Sequence, residues 1–195
     1  LTLVPDFGQT AFDEVRLNLG PFEQTFEENR AFFTEGVELF DKGEIFFSRR
    51  IGGPPSGTIE DLNPNETIIE TPSNVNILNA VKVSGRTKKG LGVGFLNSIT
   101  ERTYTTIRDS VTGSTQKKLI EPITNYNVFV VDQVFNGNSS VSLINTNVLR
   151  DGSDYRDANV TAGVFSIADK ENRFRTSGRA IFSNVNDGDG YKSGF

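Results

Sequence analysis

The rhythm of its connections is what most constrains this chain. Strand-like runs of about ten residues are joined alternately by tight polar turns and by long polar loops. The tight turns are Arg86-Thr87-Lys88-Lys89-Gly90, Asn136-Gly137-Asn138 and Asp169-Lys170-Glu171-Asn172, and the long connections are 52–75, 103–119, 149–157 and 184–190. Asn136-Gly137 is a strong hairpin signal, because both central residues of a type I′ turn need positive φ. Short-long alternation predicts an all-β, antiparallel up-and-down meander whose two ends face different surroundings.

The expected strands are 44–51, 76–86, 90–103, 121–135, 138–149, 158–168 and 173–184, with Tyr191 to Phe195 opening an eighth. Most exceed the usual ~5–6 residues of soluble proteins and match the ~9–11 that cross an outer membrane at a tilt. The meander therefore reads as part of an outer-membrane β-barrel, with tight turns periplasmic and long loops outside. The faces expected to meet lipid carry Leu91, Val93 and Phe95; Val141 and Leu143; Val160, Ala162 and Val164; Phe174, Ala180 and Phe182. The polar faces would line the lumen, with Arg49, Arg173, Arg175 and Arg179 among them. Gly92 and Gly94 alternate with the apolar residues of their strand, which predicts an inward side crowded by other protein groups. Tyr104, Tyr126, Tyr155 and Tyr191 lie near strand ends and suit membrane-interface belts.

Residues 1–43 differ and form a separate unit ahead of the meander at 44–195. They include an N-terminal strand end and a short helical or irregular element packed by phenylalanines. Phe22, Phe26, Phe33 and Leu39-Phe40 could form one apolar stripe, with Thr25 and Glu28 as a capping box and Arg30 paired to a nearby glutamate; Phe32 and Phe33 are expected to pack against the sheet.

Composition narrows the chemistry. The chain has no Cys, His or Trp, so cysteine-based zinc sites and Ser-His-Asp or Cys-His catalysis are excluded within these residues. A net charge of −5, with the charges mixed along the chain, excludes a general nucleic-acid binder. No apolar run approaches the ~18–20 residues of a membrane-spanning helix. Leu1 to Pro5 lack the basic start and apolar core of a signal peptide, and a chain without Met reads as an internal piece of a longer precursor. Asn186, Asp187 and Asp189, beside Gly188 and Gly190, resemble a short calcium loop, since Ca²⁺ takes closely spaced oxygens on a Gly-bent backbone. The run lacks the distal glutamate of an EF-hand, and a plain turn is the competing reading. Asp151, Asp154 and Asp157 invite the same pair of readings. Glu23, Glu27, Glu28, Glu35 and Glu38 cluster near the N-terminus. Paired carboxylates can hydrolyse glycosides, but closeness in sequence does not set the carboxyl separation that this chemistry needs. A solvated or salt-bridged face with Arg30 as partner is the stronger reading, and no catalytic residue is assigned.

Pro5-Asp6-Phe7-Gly8-Gln9, then Glu28-Asn29-Arg30-Ala31-Phe32-Phe33-Thr34-Glu35-Gly36, Phe46-Phe47-Ser48-Arg49-Arg50-Ile51-Gly52 and Ala80-Val81-Lys82-Val83-Ser84-Gly85-Arg86-Thr87 resemble a family of large bacterial proteins of unassigned function, common in Bacteroidota. Its pattern runs N-P-D-F-G-Q, E-K-R-P-F-F-x-E-G, F-Y-S-R-R-I-G and A-x-K-L-[ST]-G-[RK]-T. Val4 stands where the family has Asn, and Ala31 where it has Pro. The resemblance covers residues 1–103, and beyond them only the strand rhythm. It implies an N-terminal carbohydrate-binding family-nine-like sandwich joined to an outer-membrane barrel-like domain, of which this chain would be the beginning.

Three functions follow as expectations. The first is a non-enzymatic outer-membrane barrel segment for transport, scaffolding or glycan capture, with membrane lipid and other outer-membrane proteins or glycans as partners. The second is a soluble extracellular or periplasmic β-domain binding carbohydrate or protein. The third is an Asp/Glu-dependent membrane-associated hydrolase.

Overall fold

The computed structural model describes residues 2–3, 30–57, 59, 62–187 and 190–195. The described strands are β1 Thr2–Leu3, β2 Glu66–Glu70, β3 Ile77–Arg86, β4 Leu91–Thr100, β5 Thr103–Asp109, β6 Thr115–Glu121, β7 Thr124–Phe135, β8 Ser139–Arg150, β9 Asp157–Ala168, β10 Arg175–Asn186 and β11 Tyr191–Gly194. They form an eight-stranded sheet in the order β1-β3-β4-β7-β8-β9-β10-β11 and a three-stranded sheet in the order β2-β5-β6. Every pairing is antiparallel. Among the described residues no pairing returns from β11 to β1, so the large sheet is open rather than a closed barrel.

The three tight turns fall where their chemistry places them. Asn136 and Gly137 both have positive φ, 53° and 75°, which sets the β7–β8 hairpin without strain. At 87–90 the Thr87 hydroxyl accepts the Leu91 N–H at 3.1 Å. At 169–174 the Asp169 carboxylate accepts the Phe174 N–H at 3.1 Å. The tight turns share one end of the large sheet, and its long connections share the other.

Two expectations fail. Residues 44–51 are not the first strand of the meander. They hold two short 3-10 turns, Lys42–Glu44 and Ser48–Arg50. Ile45 and Phe46 pack against the core, Ile51 is buried, and Phe47 is exposed, so the segment lies down on the large sheet instead of joining it. The regions 52–75 and 103–119 are not plain loops, because β2, β5 and β6 pair there into the small sheet. Their polar sequences hid a one-sided pattern: in β5, Thr103, Thr105 and Ile107 are buried while Tyr104 and Arg108 are exposed.

The core lies on one side of the large sheet. A short helix, α1 Ala31–Thr34, carries Phe32 and Phe33. With Leu39, Phe40 and Ile51 they bury against Ala80, Leu96, Val128, Val130 and Ile144. Phe32 and Phe33 meet edge to face at 4.9 Å, a favoured aromatic geometry. The glycines of β4 make room for this layer. A Cβ on Gly94 would stand 3.1 Å from Phe40, and one on Gly92 would stand 2.8 Å from Leu39. The expected phenylalanine packing thus holds for Phe32 and Phe33. Phe22, Phe26 and the Thr25–Glu28 capping box lie outside the described residues.

Candidate functional site: the two faces of the large sheet

Antiparallel pairing assigns each side chain of β3, β4 and β7–β10 to one of two faces. The packed face carries the charges. Lys82 donates its ammonium to the carbonyls of Phe32 and Glu35 and sits 4.9 Å from the Phe32 ring centre. Arg86 pairs with Glu38 at 3.0 Å and with Asp132 at 2.6 Å. Asp132 is fully buried, takes the Ser142 hydroxyl at 2.6 Å and has Lys42 at 3.8 Å. Arg179 reaches the Gly43 carbonyl at 3.2 Å and Glu44 at 3.1 Å. From the segment itself, Arg30 donates to the carbonyls of Ile51 at 2.6 Å and Ser48 at 2.9 Å and lies over Phe33. An irregular segment has no ladder to satisfy its carbonyls. Long basic side chains supply the donors here and cover apolar surface with their stems.

At the long-connection end, buried Glu121 joins the two sheets. It accepts the Ser56 N–H at 2.7 Å, the Ser56 hydroxyl at 2.6 Å, the Thr124 hydroxyl at 3.3 Å and Arg150 at 3.4 Å.

The opposite face is charge-free over most of its height. Cross-strand pairing arranges it in rows. From the tight-turn end the rows read Leu91, Gln133, Val141, Phe165, Gly178; then Gly85, Val93, Val131, Leu143, Gly163, Ala180; then Val83, Phe95, Phe129, Asn145, Thr161, Phe182. One step further comes Val81, Asn97, Asn127, Asn147, Asn159, Asn184. None of these residues is charged in a chain that is 23% charged. Nine of their large apolar members are half-exposed, from Phe165 at 38% to Leu143 at 52%, while Val81 and Val131 are more covered. A contiguous patch of this kind marks an interaction surface on a folded protein.

The predicted site residues divide accordingly. Arg175 and Arg179 stand on the packed face, where Arg175 donates to Ser166 at 2.8 Å. Arg173 is not on the sheet wall. It lies in the 169–174 turn, with Glu171 at 2.8 Å and Asp169 at 3.8 Å, because β10 starts two residues later. Arg49 sits on the Ser48–Arg50 turn, not on a strand. Val160, Ala162 and Val164 also change sides. They pair with Thr146, Ile144 and Ser142 on the packed face, and Ala162 is fully buried. In β9 the outward face carries Asp157, Asn159 and Thr161 beside Phe165 and Ile167, and the more continuously apolar face is the one turned to the core. Tyr126 turns to the packed face, its hydroxyl 3.5 Å from the Arg50 carbonyl. Of the glutamate cluster, Glu23, Glu27 and Glu28 lie outside the described residues, and Glu38 is committed to Arg86. In the suggested calcium loop Asp187 pairs with Lys192 at 2.5 Å, and Asp189 lies outside the described residues. No group of three or more carboxylates is placed to hold a metal ion among the described residues. Asp151 pairs with Arg102 at 2.6 Å, and Asp157 accepts the Arg150 N–H at 2.8 Å.

The asparagine row is the feature the sequence reading missed. A signal existed: Asn127 and Asn147 are equidistant from Gly137, and Asn159 and Asn184 from the middle of the 169–174 turn, so symmetric hairpins must pair them.

Comparison with curated proteins and with solved structures returns no match. A family profile matches over residues 1–195, the whole length of the chain. The chain therefore belongs to the family described as a domain of unknown function, DUF5916.

Proposed function

We propose that this chain is part of the wall of an outer-membrane β-barrel, serving transport, scaffolding or glycan capture rather than catalysis, with residues 30–57 packed on the lumenal side. One observation carries the reading: between the tight turns and the asparagine row, the outward face of six neighbouring strands has no charge and leaves nine large apolar side chains half-exposed. An arginine or lysine at mid-membrane on a barrel's lipid face costs about 2–4 kcal/mol, which is the selective pressure such a face would record. The packed face, by contrast, holds Lys82, Arg86, Asp132, Arg175 and Arg179. Strands of 10 and 12 residues are long enough to span. The sequence resemblance adds the finer expectation of a Bacteroidota protein with a carbohydrate-binding family-nine-like domain, which favours glycans as cargo or partner.

Cysteine labelling of the native, otherwise cysteine-free chain tests this. Val93→Cys should react with a membrane-permeant maleimide and resist a charged one. Gly113→Cys, at the tip of the β5–β6 hairpin, should react with the charged reagent on intact cells. Recovery of the natural protein in the soluble fraction, or equal labelling of position 93 by both reagents, would overturn the membrane reading. Failure to label position 113 from outside would reverse the orientation.

A further inference from the structure

Asn97, Asn127, Asn147, Asn159 and Asn184 come from five strands, and each pairs directly with the next across the sheet. At about 4.8 Å between strands the row is roughly 19 Å long. Asparagine suits such a row because its carboxamide both donates and accepts, so amides can chain from strand to strand. The Asn97 amide donates to Asn127 at 2.8 Å and to Asn125 at 2.7 Å. Asn145, one row nearer the tight turns, donates to Asn159 at 3.1 Å and to Thr161 at 2.7 Å. The side-chain oxygens of Asn147 and Asn184 are inaccessible and have no protein partner.

We propose that this asparagine ladder marks where the bilayer's hydrocarbon ends on the long-loop side, with its carboxamides facing the lipid headgroup layer. The inference rests on the membrane reading above and fixes the height of the wall in the bilayer. Two observations carry it. Immediately beneath the ladder lie Phe95, Phe129 and Phe182, in the position of the aromatic girdle that flanks the apolar belt of such barrels. Hydrocarbon reaching past the phenylalanines would enclose five amides, and amides whose polar atoms find no partner are strongly disfavoured there. The headgroup layer supplies water, phosphate and hydroxyl groups that match both halves of a carboxamide.

Site-directed spin labelling of the full-length protein in its membrane tests the height. Leu143 and Asn147 share β8 and its outward face. A nitroxide on Leu143→Cys should collide with oxygen in preference to a water-soluble nickel complex. On Asn147→Cys the ratio should shift several-fold toward nickel. Oxygen-dominated collisions at both positions would place the ladder inside the hydrocarbon and overturn the proposal while leaving the membrane reading intact. Nickel-dominated collisions at both would overturn the membrane reading itself. Asn184→Cys, near the sheet edge, provides the same readout if the Asn147 variant does not assemble.

Discussion

The two faces of the large sheet are built from the same strands, yet one is filled and the other bare. The packed face carries every charge of β3, β4 and β7 through β10 between the tight turns and the asparagine row. Lys82, Arg86 and Arg179 hold the carbonyls and carboxylates of an irregular segment. The other face carries no charge there and presents apolar residues, most of them half-exposed, with glycines, Thr161 and amides. Alternation makes each strand amphipathic, but here both faces contain apolar residues. What separates them is the placement of charge, and this teaches that in such a sheet charge identifies a face better than hydrophobicity does.

The comparison breaks most sharply at Phe40. Its ring is fully buried against Gly94, so Phe40→Ala should destabilise the chain by about 3–5 kcal/mol. Phe47→Ala, in the same segment but 45% exposed beneath Arg50, should cost less than about 1 kcal/mol. Urea midpoints of the two variants check the difference, and equal losses would mean that the segment is not seated as described.

Next come charges placed on the bare face. Val93→Arg or Leu143→Arg should cost about 2–4 kcal/mol each and block membrane assembly, whereas Arg175→Ser on the packed face should assemble normally. Normal assembly of both arginine variants would show that the bare face does not meet lipid.

Glycine substitutions sharpen the contrast at smaller scale. Gly94→Ala places a methyl 3.1 Å from Phe40 and should destabilise by about 1–3 kcal/mol. Gly163→Ala, on the bare face with nothing within 4 Å, should be neutral or stabilise by about 0.4–1 kcal/mol. The same methyl should therefore shift the urea midpoint in opposite directions, or at least by clearly unequal amounts.

The smallest effect belongs to the three-stranded sheet. The backbone N–H groups of Thr112 and Val111 hold the Asp109 carboxyl below its ordinary value of 3.8. The Asn63 backbone N–H likewise holds Glu66 below 4.5. A lowered folded value means that the contribution is complete above the ordinary value and is lost as pH falls through the folded one. Hydrogen-exchange protection of 103–121, corrected for intrinsic rates, should thus be constant near neutrality and fall in the acid range below about pH 4. Asp109→Asn should flatten that dependence.

The sequence by itself determined what is local. Gly90, Asn136-Gly137 and Asp169–Asn172 placed the tight turns, because positive φ and short side-chain caps are properties of a few adjacent residues. Period-two alternation placed β3, β4, β7, β8 and β10, and Gly92 and Gly94 announced the crowded side. Tertiary structure decided the rest. The segment 44–51 has the composition of a strand, but Ile45, Phe46 and Ile51 gain more by burying on an existing sheet than by extending it. In β9 alternation separates Val160, Ala162 and Val164 from Asn159 and Thr161, but only the pairing with Ser142 and Ile144 turned the apolar set to the core. β5 and β6 form a local hairpin hidden by its polar sequence, but β2 joins β5 across more than thirty residues, beyond the reach of any local pattern. The asparagine ladder belongs to both kinds. Two of its contacts follow from hairpin symmetry, but Asn97 joins Asn127 across the intervening β5–β6 hairpin, and that register exists only when the whole sheet has formed.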